Sequence, residues 1–353
     1  MKAELTEHPY RQLLHKTNEE LTGASALIVE DQYEDALQVL YRWYKSARQA
    51  LFWYFLLLSL DVYTAPLFVY LQWLIMALQF IAYAFYPLVD FPWEANLIKV
   101  LRAIAIHTSR FPMSENGSEH IYFAFAFMGF FICVNVLAAF SATLLRWDWP
   151  VQLARVCLKA YRTILFVPIV RALTQALFGC SRENGAHPFL PGYTCGDNSH
   201  IILAAVSCIF LILFMLFISL AAGCMYDTDG NPRSRTASID CKSDGWDSIY
   251  FHLTHLIFLI VFAGTHNHAS RYYLAVLLFV VGVGLAAYQV YVLPYYNDMD
   301  QAAIIFAYFL LAWTGVGSFA ATLLPNTSGT AVILFCGFPV LLIASVLAVR
   351  SRY

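Results

Sequence analysis

The sequence predicts an all-α fold: a polytopic transmembrane helix bundle of about eight spans with an N-terminal interfacial helix. Of the 353 residues, 60% are hydrophobic and 12% are charged, whereas an average soluble domain has roughly 45–50% and about 25%. Aromatic residues make up 16% of the chain, and the mean hydropathy is +0.62. Apolar runs of about 20 residues, the length that crosses a hydrocarbon core of ~30 Å, recur along the chain.

Eight runs meet this length requirement without unpaired charge. The third is the weakest, because it contains Arg162, Arg171 and Gln175 and is interrupted by Pro168. We expect no cleavable signal peptide, since the first 27 residues are polar and lack an apolar core. The predicted spans are Leu67–Tyr86, Ile121–Leu145, Tyr161–Phe178, Ile201–Met225, Ile249–Thr265, Tyr272–Leu293, Ala302–Leu323 and Thr330–Val349.

Two further helices are predicted to lie along the membrane surface. Leu51–Leu60 is too short to cross alone, and the aromatic and cationic residues before it suit the headgroup layer. Between the first two spans, Asn96–Ile106 places its apolar residues on one helical face. The chain therefore divides into a cytoplasmic and interfacial segment, 1–66, and a transmembrane bundle, 67–353. A ninth span formed by Leu51–Leu60 is the alternative, and the charge distribution argues against it.

The charge distribution also predicts an orientation. With eight spans and a cytoplasmic N-terminus, most of the 21 Lys and Arg residues fall on the cytoplasmic side, as the positive-inside rule requires. Both termini are then cytoplasmic. We expect the plasma membrane or a ciliary membrane as the location.

Chemical signals in the loops agree with this orientation. Asn116 and Asn326 begin N-x-Ser/Thr sequons in predicted external loops, where glycosylation occurs. Cys180 and Cys195 share another external loop, in the compartment where a disulfide persists. Ser238 ends a basic Arg-Ser-Arg-Thr-Ala-Ser stretch on the side where kinases act.

Four short motifs, in this order, carry a resemblance to a known family. Phe-Pro-Trp at 91–93 follows the first span, and Trp-Asp-Trp-Pro at 147–150 precedes the third. The loop with Cys180 and Cys195 precedes the fourth span, and Pro-Tyr-Tyr-Asn at 294–297 follows the sixth. Together they resemble the membrane region of the TmcB-like (tiny macrocysts protein B) family of unicellular eukaryotes, over about Leu67 to Leu323.

The resemblance implies a membrane module for sensing or for ion passage. It transfers no catalytic residue. Members of that family are usually longer and carry cytoplasmic PAS-type sensory regions after the membrane part, whereas this sequence stops at Tyr353.

Polar side chains at membrane depth are costly and mark a pathway or a partner by default. Arg171 and Gln175 share one helical face with Pro168. One interpretation is that this face lines a water-filled path or meets a counter-charge. The other is an arginine that extends to the outer interface.

His252 and His255, three residues apart in the fifth span, are candidates for proton relays or metal ligands. His200, His266 and His268 are further candidates for a shared metal site, but a membrane metallohydrolase would also need a water-activating carboxylate, and the spans lack Asp and Glu except at their ends. We therefore expect no metal, and histidines that pack between helices.

Amide side chains in mid-span either join helices by hydrogen bonds or line a polar conduit. Asp298 and Asp300, in the acidic turn before the seventh span, are candidates for gathering cations at a cytoplasmic mouth. An ordinary solvated turn is the alternative. The amides are Asn135, Gln72, Gln79 and Gln289.

Small residues shape the sixth and seventh spans. Gly282, Gly284, Gly315 and Gly317 predict close helix packing. The alternative is a hinge that bends the helices.

These features favour an oligomeric channel for small cations. The alternatives are a non-conducting sensor that signals to cytoplasmic domains and an accessory subunit of a larger membrane complex. We expect no enzyme and no cofactor, because the residues form no catalytic set. The expected partners are the lipid bilayer, small ions, and copies of this chain or other subunits. The net charge of −2 argues against nucleic acid.

Overall fold

The computed structural model describes most of the transmembrane region and part of what precedes it. Positions described before residue 66 are 41, 44–46, 48–55 and 58, and single positions 89, 185, 187 and 190 lie in loops. The continuous ranges are 66–86, 91–93, 95–109, 118–141, 148–180, 192–224, 245–265, 270–295, 297–325 and 327–351.

The chain forms two compact units, Met1–Tyr54 and Phe55–Tyr353. In the first unit, the described positions are helical and expose Tyr41, Tyr44 and Trp53. Ten helices are described in the second unit. They are α1 (Pro66–Ile81, extended by a 3₁₀ turn, Ala82–Phe85), α2 (Ala95–Ser109), α3 (Ser118–Phe140), α4 (Asp148–Thr163), α5 (Phe166–Phe178), α6 (Asn198–Cys224), α7 (Trp246–Gly264), α8 (Arg271–Val292), α9 (Asp298–Leu323) and α10 (Ser328–Arg350).

The structure confirms the all-α polytopic fold. Among the described residues, seven stretches are helical, long and apolar enough to cross a membrane, and no strand occurs. The chain is therefore an integral membrane protein whose outer surface contacts the lipid bilayer. The seven are Leu67–Phe85, Glu119–Phe140, Asn198–Gly223, Trp246–Gly264, Arg271–Val292, Asp298–Leu323 and Val332–Arg350.

The predicted third span differs from the structure. Tyr161–Phe178 is not one helix, because a turn at Ile164 and Leu165 interrupts the helix between α4 and α5. Pro168 explains the break: it has no N–H to donate to the carbonyl of Ile164, and its ring crowds that carbonyl. The helix α5, with only 13 residues, spans about 20 Å at 1.5 Å per residue, too little to cross alone.

Other helix ends follow from local sequence. The side chain of Asn297 caps α9 by accepting a hydrogen bond from the Met299 N–H at 2.9 Å. The helix α8 ends at Leu293, which is left-handed (φ 47°) and is followed by Pro294, which cannot continue a helix. These signals place the acidic turn at one end of the bundle.

The order of contacts gives the helix directions. Trp73 and Phe80 of α1 contact Asp300 and Tyr308 of α9 in the same order, so these two helices run parallel. At the same end of the bundle, Val349 near the end of α10 packs with Ile305 of α9. The beginning of α1 and the end of α10 therefore lie at one end of the bundle.

The helices divide into an inner and an outer group. We call α1, α5, α7 and α9 the inner helices, because most of their residues are buried. The helices α3, α6, α8 and α10 are mostly exposed and carry apolar side chains on their outer faces, as helices against lipid do. The polar groups described below lie mainly on the inner helices.

Candidate functional site

Arg171 lies inside the bundle. Its side chain, on α5, is 3% exposed and donates a hydrogen bond from Nη1 to Ser109 Oγ at 2.6 Å. The guanidinium carbon lies 4.7 Å from the ring centroid of Tyr86, within the range of a cation–π contact. The Tyr86 hydroxyl also accepts a hydrogen bond from Gln175 Nε2 at 3.2 Å. We call Arg171, Gln175, Tyr86 and Ser109 the Arg171 cluster.

A histidine and a tyrosine meet halfway along α7. His255 Nδ1 lies 2.8 Å from the hydroxyl of Tyr83, and the His255 ring stacks on Phe80 at 4.7 Å between centroids. Within the described part of the chain, no hydrogen-bond partner lies within reach of His255 Nε2, which is fully buried. Buried polar atoms without a hydrogen bond are uncommon in proteins, which makes His255 an exceptional residue of this helix.

Two polar side chains donate hydrogen bonds to backbone carbonyls that the helix break leaves without a backbone donor. Gln79 Nε2 donates to the carbonyl of Ile164 at 3.1 Å, which Pro168 cannot use. His252 Nε2 donates to the carbonyl of Arg162 at 2.9 Å. Irregular backbone at membrane depth is tolerated only where protein groups satisfy its hydrogen bonds. Here side chains of α1 and α7 provide hydrogen bonds to the carbonyls at the break between α4 and α5.

Asp247 is the centre of a second polar group. This carboxylate, in the first turn of α7, is 2% exposed. It accepts hydrogen bonds from Gln289 Nε2 and from the hydroxyl of Tyr295, the latter at 2.8 Å. Gln301 Nε2 extends the network by donating to the carbonyl oxygen of the Gln289 side chain at 3.2 Å. We call Asp247, Gln289, Tyr295 and Gln301 the Asp247 cluster.

The phenol of Tyr295, in the turn between α8 and α9, stays protonated. Burial, and then the neighbouring Asp247 carboxylate, raise its pKa well above its usual range. At neutral pH, Tyr295 is therefore a fixed donor to Asp247.

The two aspartates of the acidic turn have different surroundings. Asp300 is fully buried and accepts a hydrogen bond from the indole N–H of Trp73 at 3.2 Å. Asp298 is exposed at the beginning of α9. Only Asp300 therefore belongs to the interior.

A small cavity lies beside the Asp247 cluster. Its volume is about 40 Å³, room for about two or three water molecules. The lining includes an aspartate, an arginine and a histidine. The lining residues are Gln72, Trp73, Met76, Arg162, Thr163, Asp247, Ser248, Phe251, His252, Tyr295 and Ile304.

These groups follow one another along α7. Asp247 is in the first turn, His252 and His255 follow, and Phe262 near the other end packs against Tyr86 of the Arg171 cluster at 5.4 Å. From Asp247 to Phe262 the helix rises roughly 22 Å. We call this series of buried groups, from the Asp247 cluster through the two histidines to the Arg171 cluster, the polar column.

Aromatic rings surround the two histidines of the polar column. The Phe166 ring lies 4.4 Å from the His252 ring and 6.4 Å from the His255 ring. The Phe251 ring lies 4.5 Å from the His255 ring, and Phe80 covers the face of that imidazole. We call Phe80, Phe166 and Phe251 the aromatic collar. Its rings pack directly against the imidazoles of His252 and His255.

The structure thus brings together most of the residues singled out from the sequence. Arg171, Gln175, Gln79, His252, His255, Gln289 and Asp300 all lie along the column or beside it. Asn135 is buried elsewhere and donates a hydrogen bond to the carbonyl of Phe131 in its own helix at 2.8 Å. The predicted disulfide between Cys180 and Cys195 is confirmed. Asn116, Asn326, Ser238, His266 and His268 lie outside the described residues.

Sequence reasoning missed several members of the column. Asp247 was not singled out, although it shares a helical face with Phe251, His255 and Phe258 at spacings of four, eight and eleven residues. That stripe was the available signal. Tyr83 and Tyr86 gave no such signal, because tyrosine is also common where a span meets the interface.

Comparison with known proteins adds no family to this picture. No protein-family model, no curated protein and no solved structure matches the chain. The TmcB-like resemblance therefore stays a prediction, and the functional argument depends on the geometry of the polar column.

Proposed function

We propose that this integral membrane protein passes a small cation across the membrane through the polar column of its inner helices. The observation that carries the proposal is the series of buried ionisable and amide groups along α7. Such groups are expensive in a bundle surrounded by lipid and are typical of ion and proton pathways. A bundle that needed only packing would fill these positions with apolar side chains.

The interrupted helix supports the same function. Helices broken at membrane depth, with open carbonyls that face polar side chains, are a recurring feature of cation sites in transport proteins. In this chain the break at Ile164 and Leu165 adjoins His252 and the cavity beside Asp247. The carboxylate of Asp247 favours a cation over an anion at that end of the column.

The proton is the cation that fits best. A proton moves between hydrogen-bonded groups or through a few water molecules, and the cavity holds about two or three. A metal cation would also need the aromatic collar to move aside. The TmcB-like resemblance, with its implication of ion passage, agrees with this function. Whether copies of the chain assemble does not affect the proposal, since the column lies within one chain.

Flux through reconstituted protein tests the proposal. The full chain is placed in liposomes that contain a pH-sensitive dye, and a potassium diffusion potential drives cations inward. We expect proton uptake above that of protein-free liposomes. His255→Phe, which keeps the aromatic ring on Phe80 but removes both nitrogens, abolishes the uptake.

The matched control is His107→Phe, because His107 is an exposed histidine in the last turn of α2 and is not a member of the column. It keeps the wild-type flux. Separate flux measurements under a sodium or a potassium gradient show whether larger cations pass. Folded protein that carries no proton, sodium or potassium flux contradicts the proposal and favours the non-conducting sensor.

A further inference from the structure

A second group of chemically active side chains lies at the opposite end of the bundle from the Asp247 cluster, in the loop between α5 and α6. The Cys180–Cys195 disulfide closes this loop, with 5.8 Å between the Cα atoms. His187 and His200 pack beside it and are 4% and 7% exposed. Neither histidine belongs to the polar column.

The ligand-type atoms of this group converge. His200 Nε2 lies 3.5 Å from Cys180 Sγ, and the two imidazole rings are 5.2 Å apart. One potential ligand atom from each of Cys180, His187 and His200 lies within 4.8 Å of the others. Cys195 Sγ is one covalent bond from Cys180 Sγ, so the fourth atom is also present.

The backbone holds these residues in place. The Cys195 N–H donates to the carbonyl of Gly185 at 2.7 Å, and the His187 N–H donates to the carbonyl of Tyr193 at 3.1 Å. His200 is fixed separately by the first turn of α6. Two backbone hydrogen bonds in the loop and one helix therefore hold the two histidines in place.

Two sulfurs and two imidazole nitrogens are the ligand set of a tetrahedral zinc site. With metal–sulfur and metal–nitrogen distances of about 2.3 and 2.0–2.1 Å, neighbouring ligand atoms in such a site lie roughly 3.3–3.8 Å apart. The separation between Cys180 Sγ and His200 Nε2 already falls in that range. The two sulfurs must separate, which requires that the disulfide is reduced.

We propose that Cys180, Cys195, His187 and His200 bind one Zn²⁺ ion when the disulfide is reduced. A dithiol reductant supplies two electrons and two protons, the S–S bond breaks to give two thiols, and the reductant becomes a disulfide. Zn²⁺ then displaces the two thiol protons and binds two thiolates and two neutral imidazoles. The ends of α5 and α6 are therefore linked in both states, by a disulfide or by a metal ion.

Cobalt binding to the purified full chain tests the proposal, because Co²⁺ occupies tetrahedral zinc sites and its thiolate complexes absorb strongly. One sample keeps the disulfide, and the other is reduced with dithiothreitol and desalted without oxygen. We expect one Co²⁺ per chain in the reduced sample, with thiolate-to-cobalt absorption that Zn²⁺ abolishes. The oxidised sample gives no such absorption.

Variants assign the ligands. His187→Ala and His200→Ala each weaken cobalt binding at least tenfold, and Cys180→Ser with Cys195→Ser abolishes the absorption. His107→Ala, an exposed histidine outside the loop, leaves it unchanged. The free cysteines among the described residues, Cys133, Cys157, Cys208 and Cys336, remain in every sample as an internal control.

Three outcomes overturn the proposal. They are a reduced wild-type protein that binds no cobalt, absorption that survives the double serine variant, and binding that neither histidine variant weakens. His187→Gln and His200→Gln, with gel filtration of each variant, exclude loss of folding as the cause. The proton flux assay is independent of this site, so either proposal can fail alone.

Discussion

Asp247 shows how strongly surroundings determine the role of one residue. It occupies the first turn of its helix, as Asp298 does in α9, and both carboxylates therefore gain from the positive end of a helix dipole. Only Asp247 is buried, and it accepts hydrogen bonds from Gln289 and Tyr295. The pair of aspartates is therefore a natural comparison.

Removing the buried carboxylate should cost stability. In Asp247→Ala, Gln289 and Tyr295 each lose a buried acceptor, which costs about 1–3 kcal/mol per donor. We expect a clearly lower melting temperature in detergent, measured by the fluorescence of the tryptophans. Asp298→Ala removes the same charge from an exposed site and should change stability by about 0.5 kcal/mol or less. Equal losses in both variants would contradict the burial argument.

Arg171 is the buried cation of the bundle's described inner helices that the sequence marked as exceptional. The structure places its guanidinium against Ser109 and the ring of Tyr86, inside the bundle and not on its outer surface. A cation held there repels a second cation. In the proposed pathway, the Arg171 cluster therefore limits which ions enter from that end.

At the scale of elements, the contact between α8 and α9 depends on small residues. A Cβ at Gly315 would lie 2.6 Å from the Phe279 nitrogen and 2.7 Å from the Ala275 carbonyl oxygen. A Cβ at Gly282 would collide with the Ala312 backbone. Both glycines therefore allow the helices to approach closely, as the sequence predicted.

Gly315→Ala should destabilise the bundle. The added methyl group meets backbone atoms that cannot move without shifting α8, and such overpacking costs about 1–3 kcal/mol. Gly284→Ala is the matched control, because nothing lies within 4 Å of a Cβ there. Alanine also favours a helix over glycine by about 1 kcal/mol, so the control should be neutral or slightly stabilising. Thermal unfolding in detergent measures both, and a stable Gly315→Ala protein would refute the close contact.

The helix break is the other feature of this scale. Pro168 interrupts the backbone hydrogen bonds of the helix. The side chains of Gln79 and His252 donate hydrogen bonds to the carbonyls that become available. The break therefore brings polar groups of three helices to the same depth. Without Pro168, a continuous helix would present no open carbonyl to α1 or α7.

At the scale of the whole molecule, the two ends of the helical bundle differ chemically. The Asp247 cluster, the cavity and the end of α10 lie at one end, and the Cys180–Cys195 loop lies at the other. The positive-inside rule predicts that the first end is cytoplasmic. A cation would then enter or leave the cytoplasm beside Asp247.

Glycosylation mapping tests this orientation. Expressed in eukaryotic cells, the protein should carry sugar at Asn116 and Asn326, and Asn116→Gln and Asn326→Gln should each remove one glycosidase-sensitive increase in apparent mass. Met299→Thr completes a sequon at Asn297, near the predicted cytoplasmic end, and it should stay unmodified. Modification at Asn297 without modification at the native sequons would reverse the orientation.

The sequence by itself determined the class of fold, the positions of seven spans, the helix between the first two spans and the disulfide. These features depend on residues close together in the chain, since hydrophobic length and proline or glycine signals are local. The sequence also marked Arg171, His252 and His255 as exceptional, because ionisable groups inside a span are rare.

Only the tertiary structure decided which of these groups meet. Trp73 and Asp300 are joined across 227 residues of sequence, and Gln79 reaches a carbonyl 85 residues away. A helical pattern tells which residues share a face, but not which neighbouring helix that face contacts. The physical reason is that side-chain hydrogen bonds form between helices packed in three dimensions, so the burial of Asp247 and the polar column emerge only when the inner helices are assembled.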